Sequence, residues 1–264
     1  MKVIRDGPRH TLKELEISVM LQGDFDASYT RADNSLVVPT DTMKNTVNIL
    51  AWEKLGTENE EFALALGKHF LKTYVQVSQV DIGLSERCWD RLKVAGSPHD
   101  HSFAQEDAAK PTVRATCSRS GSNVESGIED LLILKTTGSG FEGFEKDKYT
   151  TLAETDDRIF ATQLKAQWSY ERSPASYTHT NSSILEVMLS VFAATYSPSV
   201  QATLFQMGEA ALKVAPEISK ISLAMPNKHC LRINLAPFGL DNRNELFVPT
   251  DEPHGQIEGT VSRD

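Results

Sequence analysis

The chain of 264 residues is poor in cysteine, in basic charge and in long apolar runs, and each shortage removes a class of function. Its three cysteines, Cys88, Cys117 and Cys230, are far apart in sequence and form no C-x-x-C pair. That pattern supports neither a zinc cluster nor a disulfide framework, so buried free thiols in a reducing compartment are expected. The net charge of −9 argues against a nucleic-acid partner, whose phosphates need a basic surface. A small anionic substrate is not excluded, because a few converging cationic groups reverse the potential locally. No apolar run approaches the roughly 18 residues of a membrane span, and the N-terminal MKVIRDGPRH has no apolar signal core. The C-terminal Thr-Val-Ser-Arg-Asp is not the Ser-Lys-Leu peroxisomal address. A cytoplasmic protein with no membrane partner is the expectation.

What the chain does contain is an ordinary globular composition, 40% hydrophobic and 24% charged, arranged in two similar patterns. Leu15, Ile17, Val19 and Leu21 alternate as a half-buried strand, and Ser35–Val38 reads as a second. Thr40 to Glu53 is helical. After Gly56, Thr57 and Glu60 spell a capping box before a helix with Phe62, Leu66 and Phe70 on one face. Strands follow at Val80–Leu84 and Val113–Cys117. The second half repeats that order. Leu131–Leu134 and Leu164–Tyr170 are strands, 181–196 is a helix, and Ser199 caps another after Pro198. Ile218–Met225, Cys230–Leu235, Leu246–Val248 and Ile257–Val261 complete it as strands. The expected fold class is α+β: two ββααββ units, residues 1–122 and 123–264, with antiparallel sheets and helices on one face. Open sheets of this kind leave unpaired edges, which argues for an oligomer.

The segment Val37-Val38-Pro39-Thr40-Asp41-Thr42-Met43-Lys44-Asn45-Thr46 puts a hydroxyl and a carboxylate at a helix start. There they act either as a plain N-cap or as part of a polar-ligand site. Read with HDHSF at 99–103, LKTTGSGFEGFEKDKYTTLAETDDRI at 134–159, SVQATLFQMG at 199–208 and MPNKH at 225–229, it resembles urate oxidase over about Lys2 to Val261. That resemblance implies a tandem tunnelling fold (T-fold) and a homotetramer with active sites at subunit interfaces. It also implies oxidation of urate by O2 and water to 5-hydroxyisourate and H2O2, with no cofactor and no metal.

Residue by residue, the resemblance makes Arg158 the arginine that grips urate and Gln201 the glutamine that pairs with the purine edge. Both suit the chemistry, since a guanidinium donates a parallel pair of hydrogen bonds and an amide offers donor and acceptor together. Without the motif, Arg158 reads as a surface ion pair with Asp156 or Asp157. Phe141 matches the phenylalanine that stacks on the purine, and Leu152, Val200 and Ile257 match pocket-lining residues; otherwise all four read as core. Asn227 and His229 match the polar pair above the substrate plane. Thr40 matches the relay threonine and Asp41 a substrate contact supplied by the neighbouring subunit. His99 and His101 read as structural rather than as metal ligands.

The family also carries a relay lysine, in a Tyr-Gly-Lys segment before the residues matching Lys2-Val3-Ile4. Lys2 matches a later position and does not inherit that role. An upstream start, a truncated protein that binds urate or a related purine or pterin without turnover, and a substitute group remain open. The rival readings are a T-fold enzyme acting on pterins or GTP and a non-catalytic T-fold binding protein.

Overall fold

The computed structural model describes residues 1–105 and 109–263. Two compact units divide the chain: Met1–Ile128 with Trp168–Asn181, and Glu129–Gln167 with the chain from Ser182 onward.

The first unit contains β1 (Lys2–Ile4), β2 (Thr11–Gly23), a short α1 (Asp26–Thr30), α2 (Thr40–Lys54), α3 (Asn59–Thr73), β3 (Val77–Arg87), β4 (Trp89–Val94), β5 (Ser97–Gln105) and β6 (Lys110–Ser118). It also holds the beginning of β7 (Gly121–Lys135). Its sheet runs β1-β2-β3-β6-β7, and register pairs such as Ile17↔Leu84 and Ile82↔Ala115 are antiparallel. Alternation puts Val80, Ile82, Leu84, Val113, Ala115 and Cys117 on the buried face, against Phe62, Leu66 and Phe70 of α3.

The second unit takes the end of β7 and most of β8 (Phe160–Tyr170) and α4 (Tyr177–Ala194), with α5 (Val200–Val214), β9 (Ile218–Ala224), β10 (Asn227–Arg232), β11 (Phe247–Gly255) and β12 (Glu258–Ser262). Here β8 lies between β7 and β9, and β9 pairs with β12. The order β7-β8-β9-β12 thus repeats β1-β2-β3-β6. Each helix pair follows the second strand, and each extra hairpin, β4–β5 or β10–β11, sits between the third and fourth. The α+β class and the doubled ββααββ order are as the sequence implied. Among the described residues no helix is long and apolar enough to cross a membrane.

One close approach recurs. α3 and α5 are both 15 residues long, and the ninth residue of each is a glycine. A Cβ on Gly67 would lie 2.3 Å from Cys117 Sγ of β6, and one on Gly208 would lie 2.5 Å from Val261 Cγ2 of β12. In both repeats the second helix rests directly on the fourth strand because no side chain intervenes.

Several expectations need correction. Ser35–Val38 is not a strand. Ser35 N–H donates to Asp33 Oδ1 and Val37 N–H to the Asn34 carbonyl, so a local turn satisfies this backbone and β1 is the first strand instead. The Thr57–Glu60 capping box does not form. Glu58 is the N-cap residue of α3, without a side-chain cap bond, and Glu60 is buried where it accepts from Ser126 Oγ and from Asn181 Nδ2 at 2.8 Å. Glu58 instead reaches 118 residues along the chain, accepting from Ser176 Oγ and from Tyr177 N–H, both at 2.7 Å, at the start of α4. The Ser199 cap does form, with Ala202 N–H donating to its hydroxyl at 3.1 Å. All three cysteines are free, but only Cys117 is buried, and burial pushes its thiol pKa up. His99 and His101 lie on β5.

Gly67→Ala and Gly208→Ala should each destabilise by about 1–3 kcal/mol through overpacking, measured by denaturant unfolding. Gly56→Ala, with nothing within 4 Å of the new Cβ, should leave stability within about 0.5 kcal/mol.

Candidate active site

A cleft of about 820 Å³ opens in the second unit. Its lining includes Phe141, Leu152, Arg158, Val200, Gln201, Asn227, His229 and Ile257, so eight of the expected site residues share one surface. They come from five stretches, at 141, 152–158, 200–201, 227–229 and 257, and backbone hydrogen bonds tie the first three together. Phe141 and Thr155 exchange bonds of 2.7 and 3.2 Å, and Arg158 N–H donates to the Ser139 carbonyl at 2.8 Å. Gly140 N–H donates to the Ser197 carbonyl, and Ser197 N–H to that of Gly138, both at 2.9 Å. Phe141, Arg158 and the start of α5 therefore hang from one small backbone lattice.

Arg158 dominates the electrostatics. Its guanidinium carbon lies 5.8 Å from the ring centroids of both Phe141 and Phe160. Burial lowers its pKa from the ordinary arginine value, with Tyr196 opposing that shift. Its Nε is buried without a hydrogen-bond partner, and no ion pair joins it to Asp156, Asp157 or any other carboxylate among the described residues. Of the acids in the lining, Glu154 pairs with Lys146 at 2.9 Å, Asp157 accepts from Thr137 Oγ1 at 2.8 Å, and Glu245 is exposed. A desolvated cation without a protein anion suits an anionic ligand.

Phe141 presents a flat apolar wall backed by Phe144, whose ring stacks on it at 4.9 Å and 11°. Val200 and Gln201 are the first two residues of α5, where backbone N–H groups have no intrahelical acceptor. Gln201 is exposed, with its amide free to meet a ligand edge. Asn227 and His229 stand two apart on β10, across a register shift in its pairing with β11. Ile257 is held close by, its carbonyl accepting from Met225 N–H at 2.8 Å. Together these groups can grip a planar, anionic heterocycle by one edge, cover one face and place polar groups nearby.

Thr40 and Asp41 are absent from this lining. They open α2 in the first unit, where Pro39 is the N-cap and no side chain caps the helix. Thr40 is exposed, and Asp41 Oδ2 accepts from Asn45 Nδ2 at 3.0 Å. The plain N-cap alternative for this pair therefore fails. Lys2 is occupied elsewhere, donating to the carbonyls of Ala51, Trp52 and Leu55 at 2.8–3.0 Å at the C-terminal end of α2.

Sequence reasoning missed Phe144 and Tyr196, whose hydroxyl donates to the Asp156 carbonyl at 3.0 Å. The repeated phenylalanine in Gly-Phe-Glu-Gly-Phe was the available signal for the first. Residues 138–143 also spell G-x-G-x-x-G just after β7. They lead into irregular backbone rather than a helix, so they form no phosphate cradle.

Two ββααββ repeats carrying such a cleft define the class, a tandem tunnelling-fold protein. The uricase family model matches residues 1–116 and 124–258. The uricase of Arthrobacter globiformis is 41% identical over all of this chain and 86% of its own length. That of Dictyostelium discoideum is 42% identical over 96% of this chain and 89% of its own. A crystal structure of the Arthrobacter globiformis uricase superposes with a TM-score of 0.95, at 41% identity, covering 100% of this chain and 90% of that one. The chain belongs to the uricase family.

Arg158→Gln should weaken urate binding roughly tenfold to hundredfold, the range for charge-assisted hydrogen bonds, as read by titration calorimetry. Glu154→Gln, which removes an acid already paired with Lys146, should change it by less than about twofold.

Proposed function

We propose that this protein is a urate oxidase that converts urate, O2 and water to 5-hydroxyisourate and hydrogen peroxide without a cofactor. Membership of the uricase family supports the activity. The observation that carries the site assignment is Arg158, half-buried between two phenyl rings with no carboxylate against it, on the same surface as Gln201.

Arg158 holds the urate anion through the planar fork of its guanidinium, and Gln201 pairs with an adjacent C=O and N–H of the purine. Phe141 stacks on the ring, while Leu152, Val200 and Ile257 close the sides. Thr40 accepts the urate proton into a relay with His229, and Asp41 contacts the purine. The resulting dianion is electron-rich enough to reduce O2. Two electrons leave urate, two electrons and two protons convert O2 to H2O2, and water supplies the hydroxyl added to the ring. Asn227 and His229 hold oxygen and water over the substrate plane, so positioning and electrostatics carry the catalysis.

Thr40 and Asp41 serve the cleft of a neighbouring copy in a homotetramer. Their exposure and their freedom from helix capping support this, as do the open edges of β1 and β12. Residues 1–122 and 123–264 act as the two T-fold repeats. The three free cysteines suit a reducing, cytoplasmic setting.

Purified protein should consume urate absorbance and release peroxide at equal rates. Urate bound without consumption would make it a binding protein. Thr40→Ala and His229→Ala should each lower kcat by about 10²–10⁴-fold. Thr40→Ala and Arg158→Leu proteins, each inactive alone, should recover roughly a quarter of the wild-type rate when co-assembled, since random mixing leaves that share of sites intact. No recovery would mean that both residues serve the same chain's site.

A further inference from the structure

We propose that Ser197 and Thr203 form a positioning clasp that fixes Gln201 relative to Arg158 and Phe141. The inference rests on the assignment of urate to this cleft. A planar ligand held from two ends needs its protein donors fixed to within about half an ångström. Gln201 and Arg158 lie 43 positions apart in the chain and on different elements, so some group must set their separation.

Ser197 is placed to do this. Its backbone N–H and carbonyl join the lattice that carries Arg158 and Phe141, through Gly138 and Gly140. Its hydroxyl meets that of Thr203. Both residues are fully buried at 0% exposure, so neither hydroxyl has water as a substitute partner. Thr203 Oγ1 and Ser197 Oγ also both reach the Ser199 carbonyl, at 3.1 and 3.4 Å, so the two hydroxyls converge on the residue that caps α5. The Ser199 carbonyl also accepts from Thr203 N–H at 3.2 Å. Gln201 is thereby bracketed two residues before, by Ser199, and two residues after, by Thr203. One chain of hydroxyls links the turn that presents Gln201 to the lattice that presents Arg158. Ser197 and Thr203 touch no ligand themselves; they are positioning residues.

Thr203→Val keeps the shape and removes the hydroxyl. It should raise the urate Kd and KM roughly tenfold with a smaller change in kcat, and Thr203→Ser should restore both. In a Gln201→Ala background, Thr203→Val should add less than about twofold, because the group it positions is gone. Ser222→Ala removes one hydroxyl of an exposed pair with Thr260 on the neighbouring strands, 2.7 Å apart, and should leave Kd unchanged. A Thr203→Val protein with a lowered Tm but an unchanged urate Kd would overturn the clasp, as would full additivity with Gln201→Ala or an equal loss in Ser222→Ala. If Gln201→Ala alone left urate binding intact, the assignment of urate to this cleft would fail instead.

Discussion

Both halves of this protein depend on the same close approach, a glycine at the ninth position of a 15-residue helix laid against the last strand of its own repeat. A side chain there would lift the helix off the sheet and open the core that Phe62, Leu66 and Phe70 fill in one unit and Leu204, Met207 and Ala211 fill in the other. In the second unit the consequence reaches the site. α5 is pinned at its middle by Gly208 on Val261, and its first turn presents Val200 and Gln201 to the cleft. A functional side chain on a helix so fixed has little freedom of position. The loops carrying Phe141 and Arg158 gain equivalent rigidity from backbone bonds to each other and to Ser197.

The charge distribution follows a related logic. In a chain of net charge −9, a cation can take the proposed anionic ligand only where acids are kept away from it. The chain does so by giving them other partners. Glu58 caps α4, and Glu60 sits in a buried network with Ser126 and Asn181, whose Oδ1 accepts from Tyr170 OH at 2.6 Å. Asp251 is held by Lys228 at 2.7 Å, which lowers its pKa and also neutralises a second cation of the cleft. Arg158 is the cation of the cleft that is partly desolvated with no carboxylate against it among the described residues. Arg158 thus contributes a local positive field that the net charge of the chain does not describe.

Periodicity made the core readable. The alternation at Leu15–Leu21 reports a half-buried strand, that at Val80–Leu84 and the four-residue spacing of Phe62, Leu66 and Phe70 report full burial, and the Ser199 cap is a local interaction encoded within four residues. The failures have two causes, a distant partner at Glu60 and a local turn at Ser35–Val38. Glu60 left its capping box for Ser126 and Asn181, which no short window could contain. Ser35–Val38 has strand-like residues but no strand beside it, and the Asp33 turn takes over. The paired glycines were visible in principle, since the two halves can be laid over one another at Gly67 and Gly208. The site was legible only through long motifs, because Arg158, Gln201 and Phe141 taken singly are indistinguishable from a surface cation, an exposed amide and a core aromatic.

The proposed division of labour between the two units has a physical basis. Gripping a planar anion needs fixed donors, a flat apolar wall and a desolvated cation, and the second unit supplies these from rigid, mutually bonded backbone. Moving a proton needs an exposed hydroxyl not already committed to its own helix, and Thr40 at the uncapped start of α2 meets that requirement. A residue that must reach into another copy's cleft cannot also be buried in its own fold. On the proposed half-site reading, the uncapped start of α2 forgoes roughly 1 kcal/mol of local capping while its first residues stay available at the surface.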